Sequence, residues 1–164
     1  MFLLRHAKAG WALPGMRDYD RPLDETGRRD ARAMGAAIAR DGYKPALIFC
    51  SAALRARETL KGVAISLKAE NVAYSETLYS TDAGGYLDAI RTVGAAESVL
   101  LVGHNPMMED LGTALPGGGD MNALGVLAGG FPTAGLAVIR FDGPLSQVAP
   151  GKGWLDAFLH PGNI

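Results

Sequence analysis

Three apolar runs of strand length, Met1–Leu4, Ala46–Cys50 and Ser98–Val102, each stop where polar side chains begin. Runs this short and unbroken suit buried parallel strands better than helices. Between them the apolar spacing changes to three and four residues. Ala31, Met34 and Ile38 mark a helix over Thr26–Arg40, with Thr26 as its N-cap and Asp41-Gly42 as its stop. Leu60, Val63, Ala64 and Leu67 mark a second helical stretch from Ser51 to about Lys68, and Leu87 and Ile90 a third over Asp82–Val93, capped by Asp82. Asn105-Pro106 announces a fourth, since Asn caps well and Pro is pre-set for the first helical position. Leu136–Phe141 reads as a strand, Val72–Tyr74 as a short strand, and Val148 with Trp154–Phe158 as edge structure. Gly10–Pro22 reads as a loop, and the glycine-rich stretch Pro116–Gly130 is expected to be partly mobile. This alternation predicts a three-layer α/β sandwich with a mostly parallel central sheet flanked by helices, built as one domain over residues 1–164.

Charge narrows the function classes. Sixteen basic against 17 acidic residues leave a net charge of −1, so no global field favours nucleic acid or an anionic membrane. Anion binding has to come from a local cluster. No stretch approaches the roughly 18 apolar residues of a membrane span, and Arg5-His6 interrupts the first apolar run as no signal peptide would. The one cysteine, Cys50, follows an apolar run and reads as a buried packing residue in a reducing compartment. A cytoplasmic monomer is the expectation.

Ligands of open α/β sheets bind beyond the carboxyl ends of the strands. The first run ends at Arg5-His6, the second leads into Ser51 and then Arg55, and the third ends at Gly103-His104. If those strands are neighbours, two imidazoles and two guanidiniums converge. Guanidiniums fork onto phosphate oxygens and stay charged at any working pH. Phosphoryl transfer needs its developing charge stabilised and its partners held in line. A neutral imidazole can act as nucleophile and divide hydrolysis into two easier steps, while a second imidazole contacts a non-bridging oxygen. The helix after Asn105 adds a positive dipole end.

Each residue alone has an ordinary structural explanation: a solvated charge, a core histidine, an ion-pair partner. Only the shared position at strand ends selects Arg5, His6, Arg55 and His104. His160, beside Pro161 near the end of the sequence, reads as surface or structural, and Arg28, Arg29 and Arg32 as a solvated helix face. Glu109 or Asp110 joined to the histidines would be a metal alternative, but no HxxxH or HxH spacing supports it and neighbouring arginines repel a cation.

These residues also carry a resemblance. Leu3-Leu4-Arg5-His6-Ala7 resembles the Arg-His-Gly opening of the histidine phosphatase superfamily, which includes the cofactor-dependent phosphoglycerate mutases. Ser51-Ala52-Ala53-Leu54-Arg55-Ala56 with Glu58-Thr59 resembles its second motif, and Val102-Gly103-His104-Asn105-Pro106 its third. Arg21-Pro22-Leu23 with Thr26-Gly27 is similar to its segment before the first helix, and the stretch from Phe131-Pro132-Thr133 through Leu155–Pro161 to the C-terminal pattern of SixA-like phosphohistidine phosphatases. The resemblance implies a phosphoglycerate mutase-like fold and a phosphatase needing no metal or organic cofactor. His6 would be the phosphorylated nucleophile, with Arg5, Arg55 and His104 completing the phosphate pocket and Arg21 and Asn105 binding substrate. Phosphohistidine on a protein is the substrate it favours; a broad phosphomonoesterase of small metabolites and a non-catalytic phosphate-binding module are the alternatives. Two departures stand out. Ala7 replaces the usual Gly, and the general acid is open among Glu76, Asp82 and Asp18. A site without a strong acid suits the phosphorus–nitrogen bond of phosphohistidine, whose imidazole leaves more readily than an alkoxide.

Overall fold

A computed structural model describes residues 1–67, 71–94 and 96–164. Seven strands form one sheet: β1 Phe2–Arg5, β2 Leu47–Ser51, β3 Val72–Ser75, β4 Val99–Gly103, β5 Pro116–Gly119, β6 Leu136–Arg140 and β7 Gly153–Leu159. Their order is β3-β2-β4-β1-β6-β7-β5. Only β6 runs against its neighbours, so the sheet is mostly parallel. The helices are α1 Glu25–Arg40, α2 Leu54–Ala64, α3 Thr77–Ser80, α4 Ala83–Arg91, α5 Met107–Ala114 and α6 Met121–Ala128.

Strand alternation sorts the core into two layers. Phe2, Leu4, Ile48, Cys50, Leu100, Val102, Leu136 and Val138 face α1 and α2, meeting Met34, Ile38, Leu60 and Val63. Leu3, Val99, Leu101, Ala137 and Ile139 face the other way and meet Tyr86 and Ile90 of α4, Met108 and Leu111 of α5 and Leu127 of α6. Both faces of β4 are therefore covered, which explains why its sequence is an unbroken apolar run. Among the described residues no helix is long and apolar enough to cross a membrane.

Several local expectations are corrected. Asp24, not Thr26, caps α1: its carboxylate accepts the Gly27 N–H at 2.7 Å, and a charged acceptor makes the stronger cap. Asn105 does not cap α5, because its amide is spent on Glu109 and the Phe131 carbonyl; Pro106 takes the cap position after a cis peptide bond. The Pro116–Gly130 stretch is regular structure, β5 followed by α6, rather than a mobile loop. Its glycines permit close approach to β7 and to the turn before it: a Cβ on Gly119 would lie 2.7 Å from the Leu155 Cβ, and one on Gly117 2.3 Å from the Gly151 carbonyl oxygen. Asp120 then caps α6 through the Asn122 and Ala123 N–H groups. Trp154–Phe158 lies in β7, which is internal between β6 and β5 and not at an edge. The helix α2 ends at Ala64; the expected end near Lys68 lies outside the described residues. Asp82 does cap α4, accepting the Gly85 N–H.

The two helices on the α1 face touch backbone to backbone. A Cβ on Gly35 would stand 2.6 Å from the Val63 carbonyl oxygen. Alanine is the better helix former, yet the clash falls on main chain that cannot rotate away. Gly35→Ala is expected to destabilise the protein by about 1–3 kcal/mol through overpacking, read as a lowered urea midpoint with an unchanged slope. A raised midpoint would mean that helix propensity outweighs the contact.

Candidate active site

The order β2-β4-β1 brings three carboxyl ends side by side. Arg5 pairs in register with Gly103, and Cys50 with Val102, so His6, His104 and Ser51 emerge at the same level. The His6 N–H continues the ladder onto the Gly103 carbonyl at 2.9 Å, which fixes the backbone that carries the imidazole.

Both ring nitrogens of His6 have partners. Nδ1 lies 2.8 Å from the Ala7 carbonyl oxygen, and Nε2 lies 3.2 Å from Nε of Arg55. A carbonyl only accepts and a guanidinium only donates. The ring is thus neutral, with its proton on Nδ1 and its lone pair on Nε2. Burial disfavours the imidazolium, and the charges of Arg55, Arg5 and Arg21 add to that, against the Ala7 hydrogen bond; together they hold the His6 pKa down to about 4. The Ala7 methyl, where a glycine was expected, is fully buried in a small cluster with Leu23, Ala31 and Ala134. Its N–H donates to Thr59 Oγ1 at 2.9 Å, and the Thr59 hydroxyl donates to the Arg55 carbonyl.

Arg55, in the first turn of α2, is only 7% exposed. Its outer nitrogens donate to Asp18: one to the main-chain carbonyl at 2.7 Å, the other to Oδ2 at 3.0 Å. Asp18 sits on a 3-10 turn, Asp18–Asp20, within the Gly10–Pro22 loop. The same carboxylate accepts from Arg21 at 2.8 Å on Oδ1 and from the Tyr79 hydroxyl at 3.0 Å on Oδ2. The Arg21 hydrogen bond, with the Arg55 charge and the Tyr79 hydroxyl, holds its pKa down to about 2 against partial burial. Tyr79 packs edge-on to His104 at 5.7 Å and to Tyr19 at 5.0 Å between ring centroids.

Arg5 and His104 close the pocket. Arg5 donates to the Phe131 carbonyl at 2.6 Å, an oxygen shared with the Asn105 amide at 3.3 Å. Asn105 also donates to Glu109 at 2.9 Å. His104, 5% exposed, meets the Ser51 hydroxyl through Nε2 at 2.8 Å. The Ser51 hydroxyl also accepts from the Ala53 N–H at 3.4 Å, and its remaining lone pair and its proton let it meet either tautomer of His104. Burial, then the neighbouring His6 and Arg55, lower the His104 pKa to about 3. The His6 and His104 ring centroids are 5.0 Å apart. Among the described residues, three buried side-chain polar atoms lack a hydrogen-bond partner: Arg5 Nε, His104 Nδ1 and Asn105 Oδ1. All three belong to this cluster. Asn105 Oδ1 is an acceptor, whereas Arg5 Nε is a charged donor, costly to leave unpaired, and an acceptor oxygen of an anion would satisfy it.

The structure therefore brings together Arg5, His6, Arg55 and His104, with Arg21 at the rim and Asn105 behind Arg5. Of the three acid candidates, Glu76 is exposed at the start of α3, Asp82 is spent as the α4 cap, and only Asp18 is in the site, held as an anion. Among the described residues no group of three or more His, Cys, Asp or Glu could hold a metal ion. Burial pushes the Cys50 thiol up to about 12, so it stays an inert packing residue. Sequence reading missed Tyr19 and Tyr79, which stand in no motif, and the bridging role of Thr59. The Arg55–Thr59 spacing of four residues, one face of a helix, was the available signal for the last.

Residues 1–89 match the histidine phosphatase superfamily, branch 1. An uncharacterized Mycobacterium tuberculosis protein, Rv1276c, is 34% identical over 96% of this chain and 99% of its own length. The crystal structure of an Agrobacterium tumefaciens protein, provisionally assigned as the phosphohistidine phosphatase SixA, superposes with a TM-score of 0.84 at 37% identity, covering 98% of this chain and 96% of that one. A protein histidine phosphatase SixA complexed with tungstate shares the fold at a TM-score of 0.77 and 22% identity, over 99% of this chain and 97% of its own. Small-metabolite phosphatases also share the fold, at lower identity. With its motifs on three adjacent strand ends, the chain belongs to the histidine phosphatase superfamily, among the SixA-like members.

Proposed function

We propose that this chain is a phosphatase that takes a phosphoryl group onto His6 Nε2 and passes it to water, with phosphohistidine on a protein as the donor. The observation that carries this reading is the neutral His6 ring, tied at Nδ1 to a carbonyl and aimed at Nε2 toward a buried guanidinium. The incoming phosphoryl group displaces the Arg55 Nε–H from that lone pair, and the guanidinium turns its charge to the equatorial oxygens. Arg5 Nε supplies a further donor, as does His104 in the tautomer with its proton on Nδ1. As the phosphorus–His6 bond forms, the ring becomes cationic, and the Ala7 carbonyl stabilises its Nδ1–H. Water then attacks phosphorus, the bond pair returns to Nε2, and inorganic phosphate leaves. Fixed guanidiniums provide the charge that a metal would otherwise supply, so the scheme uses no metal or organic cofactor.

Two observations favour a protein-borne nitrogen ester over a small phosphate ester. Asp18, the acid candidate that stands in the site, is held as an anion and cannot give the proton that an alkoxide leaving group would need. The loop that carries Asp18 and Arg21 also turns apolar side chains outward: Trp11 is 94% exposed and Leu13 65%. Arg21 donates to the Gly10 carbonyl, directly before Trp11, so this apolar tip is held at the pocket's rim.

Three outcomes follow. Radiolabelled phosphohistidine protein is expected to leave acid-labile label on the wild type and none on His6→Ala, and turnover persists in EDTA. Equal phosphate release by both proteins would overturn His6 as acceptor, and loss on chelation with recovery on zinc would overturn the metal-free scheme. A small phosphate ester turned over faster than the phosphoprotein would favour the metabolite reading.

The His6 pKa is depressed, so its free base is complete at pH 6.5 and is lost only as pH falls through about 4. The unfolded chain takes up these protons from 6.5 downward, and folded stability drops by up to ~1.4 kcal/mol per pH unit per imidazole in that window. Imidazole NMR should show His6 and His104 unprotonated at pH 5.5; a midpoint near 6.5 for His6 would remove the neutral nucleophile. The double variant Trp11→Ala, Leu13→Ser should lower kcat/KM for the phosphoprotein about tenfold, on the scale of a buried interface anchor, and leave free phosphohistidine unaffected. An equal loss on both donors would deny the loop a docking role.

A further inference from the structure

We infer that the Asp18 carboxylate, walled by Tyr79 and Tyr19, is the leaving-group subsite of this pocket, and that it recognises the protonated imidazole ring of the departing side chain. The inference rests on the phosphohistidine reading above and names the residues that select it. Asp18 is placed on the outer side of Arg55: the guanidinium faces His6 with Nε and Asp18 with its two outer nitrogens. A group expelled in line from His6 departs outward, past that guanidinium. The carboxylate is half exposed, whereas Arg55 beneath it is 9% exposed as a side chain. A carboxylate offers about four lone-pair sites. Arg55 and Tyr79 occupy Oδ2, and Arg21 occupies one site on Oδ1. One acceptor site on Oδ1 is left for an N–H from outside.

The chemistry of the wall fits the same group. Tyr79 holds its hydroxyl on Asp18 and its ring between His104 and Tyr19, so a flat edge of aromatic surface stands beside the carboxylate. A flat cationic ring is attracted to both aromatic faces and an anion. Asp18 cannot be the proton donor that an ester needs, because two arginines and a tyrosine keep it ionised. It serves instead by keeping a proton on the substrate. Phosphohistidine carries its phosphoryl group on one ring nitrogen and, when protonated, an N–H on the other. Asp18 accepts from that N–H. When the substrate phosphorus–nitrogen bond breaks, its electron pair goes to the ring nitrogen and the ring departs as neutral imidazole, while the His6 lone pair forms the new bond. No further proton is required. An aryl or alkyl phosphate expels an anion, which the Asp18 charge repels.

The test compares free phosphohistidine with p-nitrophenyl phosphate, so that protein docking plays no part. In Asp18→Asn the ratio of kcat/KM for phosphohistidine over p-nitrophenyl phosphate should fall at least tenfold. The alkaline limb of the phosphohistidine profile should move to lower pH, because the bound ring proton loses its carboxylate. Tyr79→Ala should lower the same ratio. Loss by one common factor on both substrates, with an unmoved pH profile, would overturn the inference and reduce Asp18 to a clamp for the arginines. Failure of the underlying reading has a different signature: the wild type itself would turn over p-nitrophenyl phosphate through His6 and leave phosphohistidine intact, and the subsite would fall with it.

Discussion

The hydrogen bond from Arg55 Nε to His6 Nε2 requires an uncharged imidazole with its proton on the opposite nitrogen, and the Ala7 carbonyl accepts that proton. This pair of contacts decides the ring's tautomer, its orientation and its reactivity at once. A ring free to rotate would spend part of its time with the wrong nitrogen forward. Here rotation would break two hydrogen bonds inside a buried cluster, where unpaired polar atoms are costly. Thr59 extends the constraint, since it bonds both the Ala7 N–H and the Arg55 carbonyl. The backbone carrying the proposed nucleophile and the helix carrying the guanidinium are thereby set against each other, which is the condition for electrostatic help without reorganisation.

Cations packed this closely repel one another, and the fold offsets that in two ways. The imidazoles stay neutral, so only the guanidiniums bear charge. Each guanidinium is then given oxygen acceptors: Asp18 for Arg55, the Phe131 carbonyl for Arg5, the Asp18 carboxylate and Gly10 carbonyl for Arg21. A buried charge missing such partners would be strongly destabilising. The apparently unremarkable Gly10–Pro22 loop is thus an electrostatic requirement of the pocket.

The sheet and the four residues at or one turn beyond its strand ends were legible because short-range signals encode them. An unbroken apolar run reports a strand covered on both faces, and a polar side chain that ends it reports the sheet's functional edge, as with Arg5-His6 and Gly103-His104. Caps were less legible. Asp24 and Thr26 are both good caps, and only the position of the Gly27 N–H separates them. The glycines of β5 read as a mobile segment because their reason lies about 35 residues away, in the closeness of β7. Tyr79 and Tyr19 were invisible for the same reason: separated by 60 positions, they meet only because a loop before α1 and the short helix α3 come together, with Tyr79 also against His104. Asp18 was singled out, but for the opposite chemistry. A carboxyl's protonation is set by its neighbours, and Arg21, Arg55 and Tyr79 are unreadable as neighbours from sequence.

That reversal governs how the pocket chooses a reaction. A neutral carboxyl in the place of Asp18 would donate a proton and favour oxygen leaving groups. The same side chain held between two guanidiniums can only accept. One residue type at one position therefore supports either class of phosphatase, and the choice lies in the arginines that surround it. In the proposed scheme Arg55 acts on both sides of the transferred group, with its Nε turned to His6 and its outer nitrogens to the Asp18 main-chain carbonyl and carboxylate. Replacing it by lysine would keep a charge but lose the planar fork that makes both contacts at once, so nucleophile orientation and leaving-group selection are inseparable functions of a single guanidinium.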